Sequence, residues 1–238
     1  MSDYTYIGSE LNVFNLATNW KSYYHELIAD YIGREVLEVG AGIGATTETL
    51  CVRDDHVRWV CLEPDARLAE SVSDLIASKR LPSCCLMRVG TVADLAPEDL
   101  YDTILYIDVL EHIEDDRQEA YTAAQHLKPG GHLVVLAPAH QKLYTPFDAA
   151  IGHFRRYDKR TLAAAIPGDL KQRALFYVDA VGALASTGNK LILKSGTPNA
   201  QQITFWDKVL IPLSRKVDPL LRYRVGKSII GVWQRDLQ

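Results

Sequence analysis

The 238-residue chain is poor in the features that mark several protein classes. It has no uninterrupted apolar stretch close to the roughly 20 residues a membrane span needs, which argues against a spanning helix. Met1-Ser2-Asp3-Tyr4 opens the chain without the basic-then-apolar run of a secretory leader, so the expected location is cytoplasmic. Charge of one sign is also scarce. With 26 Lys+Arg against 30 Asp+Glu the formal charge is −4, and no broad positive field is available to draw the chain onto nucleic acid. The four cysteines, Cys51, Cys61, Cys84 and Cys85, have no CxxC spacing. On one strand the adjacent Cys84 and Cys85 would point to opposite faces, so neither a disulfide nor a metal site is expected, and all four read as reduced core thiols. Internal repeats and low-complexity segments are missing as well.

What is present is an ordinary globular balance, 47% hydrophobic and 24% charged, in a chain long enough for one large core. Apolar spacing from about Leu11 to Ile32 predicts a helical lead-in that stops at Gly33. Strand-like runs follow at Glu35–Val39, His56–Leu62, Cys84–Val89, Thr103–Ile107 and His132–Ala137. They alternate with helical segments at Ala45–Cys51, Ala66–Ser78 and Asp115–Leu127, the last opened by Asp115 as a cap that Gln118 can answer. Lys128-Pro129-Gly130-Gly131 should break the chain before the fifth strand. A short helix near Thr161–Ala165 and late strands near Arg173–Val178 and Ser228–Trp233 complete the order. This alternation predicts an α/β fold: a Rossmann-like, doubly wound, mostly parallel seven-stranded sheet with helices on both faces. The chain reads as a single domain, 1–238, with a helical lead-in over 1–33 and an insertion over 180–224 between the last two strands.

The first strand runs into Gly40-Ala41-Gly42-Ile43-Gly44, where backbone N–H groups and a helix N-terminus can approach a ligand without a side chain between. Alone this is a weak signal, because Gly40-x-Gly42-x-x-Ala45 also satisfies the dinucleotide fingerprint. Glu63 ends the second strand, where a carboxylate can accept hydrogen bonds from both hydroxyls of an adenosine ribose. The more specific features are Glu38, just before the loop, and Tyr106-Ile107-Asp108-Val109-Leu110-Glu111-His112 leaving the fourth strand. Together with Val36-Leu37-Glu38-Val39-Gly40-Ala41-Gly42-Ile43-Gly44 and the Lys128–Gly131 turn, they resemble class I S-adenosylmethionine-dependent methyltransferases over roughly residues 20–140. The resemblance implies S-adenosyl-L-methionine as cofactor, with Glu38, Gly40, Ala41, Gly42 and Gly44 at its methionine end and Glu63 on the ribose. It also implies Pro64 and Asp65 beside the adenosine, Thr91 and Val92 near the adenine, and Asp108 and Val109 along the cofactor. Trp20 and Tyr24 read first as core, with closure over the cofactor as the alternative.

Methyl transfer from a sulfonium rests mainly on positioning, with a base needed only where the acceptor must lose a proton. His112 and His140 leave the carboxyl ends of strands, where ligands meet in open α/β sheets, and His153 lies in the loop beyond strand five. These three are the candidate catalytic residues. The stretch Gly152-His153-Phe154-Arg155-Arg156-Tyr157 resembles an element of a bacterial methyltransferase subgroup. Arg155, Arg156 and Tyr157 are the candidate acceptor-binding residues, and paired arginines suggest an anionic acceptor. The expected reaction is O- or C-methylation of a small-molecule or lipid-linked acceptor. In the insertion, Phe205, Trp206, Val209, Leu210, Ile211, Leu213, Leu220 and Leu221 lie among Lys208, Arg215, Lys216, Arg222 and Arg224. Packing on the domain is the favoured reading, with weak peripheral membrane contact or the lining of a greasy substrate pocket as the alternatives. A nicotinamide-dependent oxidoreductase and a non-catalytic cofactor-binding module are the rival functions.

Overall fold

The structure, a computed structural model, describes residues 5–8, 11–192 and 199–237. The opening tetrapeptide read above for a leader lies outside these residues, as does the 193–198 part of the insertion. Seven strands, β1 (Glu35–Val39), β2 (Arg58–Glu63), β3 (Cys85–Val89), β4 (Tyr101–Ile107), β5 (Leu127–Pro138), β6 (Lys171–Val178) and β7 (Ser228–Gln234), form one sheet in the order 3-2-1-4-5-7-6. Pairs β1–β2, β1–β4, β2–β3 and β4–β5 are parallel, whereas β7 runs antiparallel to both β5 and β6. The dinucleotide-binding order is 3-2-1-4-5-6. An antiparallel strand inserted before the last position departs from it.

Period-two alternation divides the strands between two apolar layers, as a sheet covered on both faces requires. Leu37, Val39, Ile104, Tyr106, Leu133 and Val135 face one layer, completed by Ala120, Ala123 and Ala124 of α5 (Asp116–Gln125) and Leu162 of α7 (Lys159–Ala165). Val36, Trp59, Leu105, Val134 and Leu136 face the other. There they meet Trp20, Tyr24 and Ile28 of α2 (Thr18–Ile28) and Ile211 of α10 (Ile211–Leu220). Trp20 and Tyr24 are therefore core, 6% and 2% exposed.

Three local expectations are corrected. The helix after the glycine loop is a single turn, α3 (Thr47–Leu50), because three threonines at 46, 47 and 49 penalise helix and Thr49 Oγ1 bonds back to the Ala45 carbonyl. Asp115 does cap α5, accepting from the Gln118 N–H, but the Gln118 side chain bonds Thr122 rather than returning to the cap. Lys128–Gly131 does not break β5. It forms a bulge in which Leu127 pairs with Tyr101 and His132 with Thr103, leaving the four residues between them opposite Asp102 alone. A Cβ on Gly131 would sit 2.9–3.1 Å from the carbonyls of Lys128, Asp102 and Tyr101, so the bulge closes only around glycine.

Between β6 and β7 lie α8 (Ala180–Ile192), α9 (Ala200–Phe205), a π-helical turn (Trp206–Leu210) and α10. Buried carboxylates tie them down. Asp218 accepts from the Tyr23 hydroxyl and from the N–H groups of Asp179 and Ala180; Asp179 accepts from Trp206 Nε1 and Ser214 Oγ. Asp207 accepts from the N–H groups of Asn19 and Trp20, linking this helical group to the lead-in.

Candidate active site

Glu38 and Glu63 stand at the carboxyl ends of β1 and β2, 2% and 4% exposed. One Glu38 oxygen accepts from Thr47 Oγ1 and Trp59 Nε1, both at 2.8 Å. Burial outweighs these bonds and raises the carboxyl to about 7. Glu63 spreads its two oxygens, accepting from the Gly42 N–H at 2.8 Å and the Asp65 N–H at 2.9 Å, and burial raises its pKa too. Asp65 caps α4 (Ala66–Ala77) through the Arg67 N–H and receives the Tyr6 N–H on its other oxygen; its bond to the Arg67 side chain helps hold it down at about 2.

The loop between these acids works differently from the expectation. The N–H groups of Gly40 and Ala41 both donate to the Leu62 carbonyl, that of Gly42 to Glu63 and that of Gly44 to Ala41. The first three donors hold the loop onto β2 and the fourth closes a turn within it, rather than waiting for a ligand, since a buried N–H must be paired. Gly40 is required by space: at φ +68 its Cβ would lie 2.6 Å from Val109. Val109 thus supports the loop from beneath. Gly42 is different, since a Cβ there would find Leu11 no nearer than 3.8 Å, leaving room along the loop. Pro64 is half-buried beside Glu63. Thr91 caps a short turn by bonding Asp94, an acid that sequence reading did not place here, and Val92 is core.

Asp108 follows β4 at φ +54, unusual for a non-glycine residue, and opens to solvent at the cleft. Surrounding protein desolvates it and raises its carboxyl to about 6, against the opposing pull of His153, Lys227 and Arg156. The Tyr24 hydroxyl pairs with Thr46 and feels both Asp108 and Glu38, so the α2 aromatic reaches the same cleft from the core side.

Beyond Asp108 lies a cluster of His112, His153, Glu111 and Asp148. The two histidine rings meet edge to face with centroids 4.4 Å apart. His153 Nδ1 is 3.0 Å from Asp148 Oδ1, and its Nε2 is 3.8 Å from Glu111. Asp148, N3 of α6 (Pro146–Ala150), also accepts from Thr145 and from both Nε and Nη2 of Arg156, which together hold it ionised far below the ordinary range. Glu111 is fully buried with neither carboxylate oxygen hydrogen-bonded, and burial raises its pKa well above the ordinary value. Burial and His153 push His112 down to about 3. Ligand atoms of Glu111, His112 and His153 lie within 4.8 Å of one another, a spacing a divalent ion could bridge.

The remaining candidates are placed elsewhere. His140 lies against Tyr177, ring centroids 4.7 Å apart, outside that group of ligand atoms. Arg155 bonds Asp116 and the carbonyls of Ile113 and Glu114, and Tyr157 donates to Asp116. With Arg156 on Asp148, eight residues back, and Arg155 on Asp116, both guanidinium groups already have internal partners. Asp148 and Glu111 were missed; the Thr145-Pro146-x-Asp148 cap pattern was the available signal for the first.

The pieces fit an adenosyl sulfonium. Each Glu63 oxygen has a lone pair beyond the one its N–H partner uses, so a ribose diol could be accepted alongside the loop. Ionised Glu38 and Asp108 suit the positive charges of the methionine end.

Comparison with known proteins agrees. A methyltransferase-domain family model matches residues 37–133. The chain is 29% identical over 101 residues to a ubiquinone biosynthesis O-methyltransferase of Idiomarina loihiensis, covering 42% of this chain and 41% of that protein. It is 29% identical over 153 residues to a demethylmenaquinone methyltransferase of Tropheryma whipplei, covering 63% and 60%. The matches thus span less than two thirds of these relatives. Among solved structures, coclaurine N-methyltransferase bound to N-methylheliamine and SAH aligns with a TM-score of 0.63 at 12% identity, covering 99% of this chain and 75% of that one. The cyclase SpnF aligns with a TM-score of 0.63 at 14% identity, covering 91% and 82%. Fold alone therefore does not name a reaction. The family match is more specific: residues 37–133, which include the paired acids Glu38 and Glu63, match a methyltransferase domain.

Proposed function

We propose that this protein methylates an oxygen or carbon of a small-molecule acceptor whose reacting group lies between Asp108 and the His112–His153 pair. When bound, the cofactor supplies a methyl group on a sulfonium, transferable by in-line displacement. Glu38 and Asp108 would hold its charged end, Glu63 its ribose. The observation carrying the acceptor side is the Asp148–His153 contact of 3.0 Å. Asp148, anchored by Arg156, orients the ring so that Nε2 takes a proton from an acceptor hydroxyl. His112, held neutral down to about pH 3, is too weak a base for that step and serves as a hydrogen-bond partner. The relatives named for ubiquinone and menaquinone make a quinol-like, phenolic ring the first acceptor class to test.

Arg155 and Arg156 act in this reading by positioning the loop, which removes the argument for an anionic acceptor. The exposed side chains of Phe205, Val209 and Leu213, with exposed Lys208 and Lys216, support weak peripheral contact with an anionic bilayer, from which a lipid-linked acceptor would be drawn.

The test is turnover. With catechol and naphthoquinol acceptors, release of S-adenosylhomocysteine is expected, and His153→Gln should lower kcat by about 100-fold or more while KM for cofactor holds. Absence of turnover with cofactor bound favours a non-catalytic module.

A further inference from the structure

Cys51, Cys84 and Cys85 converge where the end of α3 meets the start of β3, outside the residues assigned to the cofactor. Strand geometry alone would set Cys84 and Cys85 on opposite faces, but β3 begins only at Cys85. The Cys85 N–H bonds the Pro82 carbonyl, a turn that takes Cys84 out of the pleat. Cys51, at the end of α3, then lies 3.7 Å from Cys84 Sγ and 3.6 Å from Cys85 Sγ, and all three sulfurs lie within 4.8 Å of one another. All are free thiols. The earlier expectation of no metal site therefore loses its premise.

We propose that these three cysteines bind a thiophilic divalent ion such as zinc, with water as the fourth ligand. Tetrahedral bonds of about 2.3 Å to sulfur place neighbouring sulfurs about 3.8 Å apart, close to the two short separations found. Soft thiolates select such an ion over magnesium or calcium. Cys51 and Cys85 are buried, while half-buried Cys84 leaves one side of the triangle reachable by solvent for the water ligand and for entry. Binding releases the protons of the thiols that become thiolates. The ion would join the end of α3 to the start of β3. Cys51 N–H bonds the Thr47 carbonyl, Thr47 Oγ1 bonds Glu38, and Trp59, paired with Cys85, donates to the same carboxylate. A bound ion thus stiffens both supports of Glu38 without touching the cofactor.

The inference does not depend on the methyltransferase reading, and its test is spectroscopic. Fully reduced full-length protein is titrated with cobalt(II), then zinc. Thiolate-to-cobalt charge-transfer absorption with tetrahedral d–d bands should saturate at one ion per chain, and zinc should abolish it. Bound zinc should also shield three of the four thiols from a thiol reagent. Cys84→Ala, at the half-buried position, should remain folded by circular dichroism. It should weaken binding by more than the roughly 10–100-fold that loss of an outer-shell partner costs. No charge-transfer band in the reduced protein, or a band unchanged by Cys84→Ala, would overturn the proposal.

Discussion

Glu38 is an acid that the fold keeps partly protonated near neutrality, at about 7, chiefly through desolvation, while Asp108 faces the same cleft open to solvent. A cationic ligand favours the ionised form of Glu38, so ligand binding must release protons and strengthen as pH rises. Affinity for S-adenosylmethionine should improve roughly tenfold from pH 6 to 7.5, following the ionised fraction of Glu38. Glu38→Gln should flatten that rise. Calorimetry in two buffers of different ionisation enthalpy checks the proton release, and a flat wild-type profile would contradict it. At this scale Glu38, Glu63, Asp108 and His153 were legible because their residue types stand at strand ends or beside a known pattern. The arginine partners were not: Asp116 and Asp148 meet Arg155 and Arg156 only after folding, and a charge read alone always looks available for a ligand.

Strands were the most readable elements, since apolar alternation over β1, β4 and β5 is decided by the two layers that bury it. The β5 bulge was hidden because it depends on the Arg235 N–H reaching Gly131, more than a hundred residues away. The helices between β6 and β7 show the same limit, with Asp179, Asp207 and Asp218 looking like surface acids in sequence. Asp218→Ala would strand Tyr23 Oη and two backbone N–H groups in the interior. Unfolding stability should fall by about 3–5 kcal/mol in urea titration. A loss under about 1 kcal/mol would show that these bonds do not hold the helical group to the sheet.

As a whole the molecule joins a two-layered sheet to a helical flank whose outer face is unusually apolar. Phe205, Val209 and Leu213 are 57%, 42% and 46% exposed, and Leu220 is 82% exposed. Among the described residues no helix is long and apolar enough to cross a membrane. Vesicles rich in anionic lipid should retain the protein at low salt and release it as salt rises, because screening weakens the cations' share. No retention at low salt removes the membrane contact and leaves the acceptor reading intact. The most direct test of the central claim, that the β1 and β2 acids cradle an adenosyl sulfonium nucleoside, is calorimetric titration of the purified protein. Saturable one-to-one binding of S-adenosylmethionine or S-adenosylhomocysteine, with no heat from NADH, is the predicted result; binding of NADH alone would contradict the account.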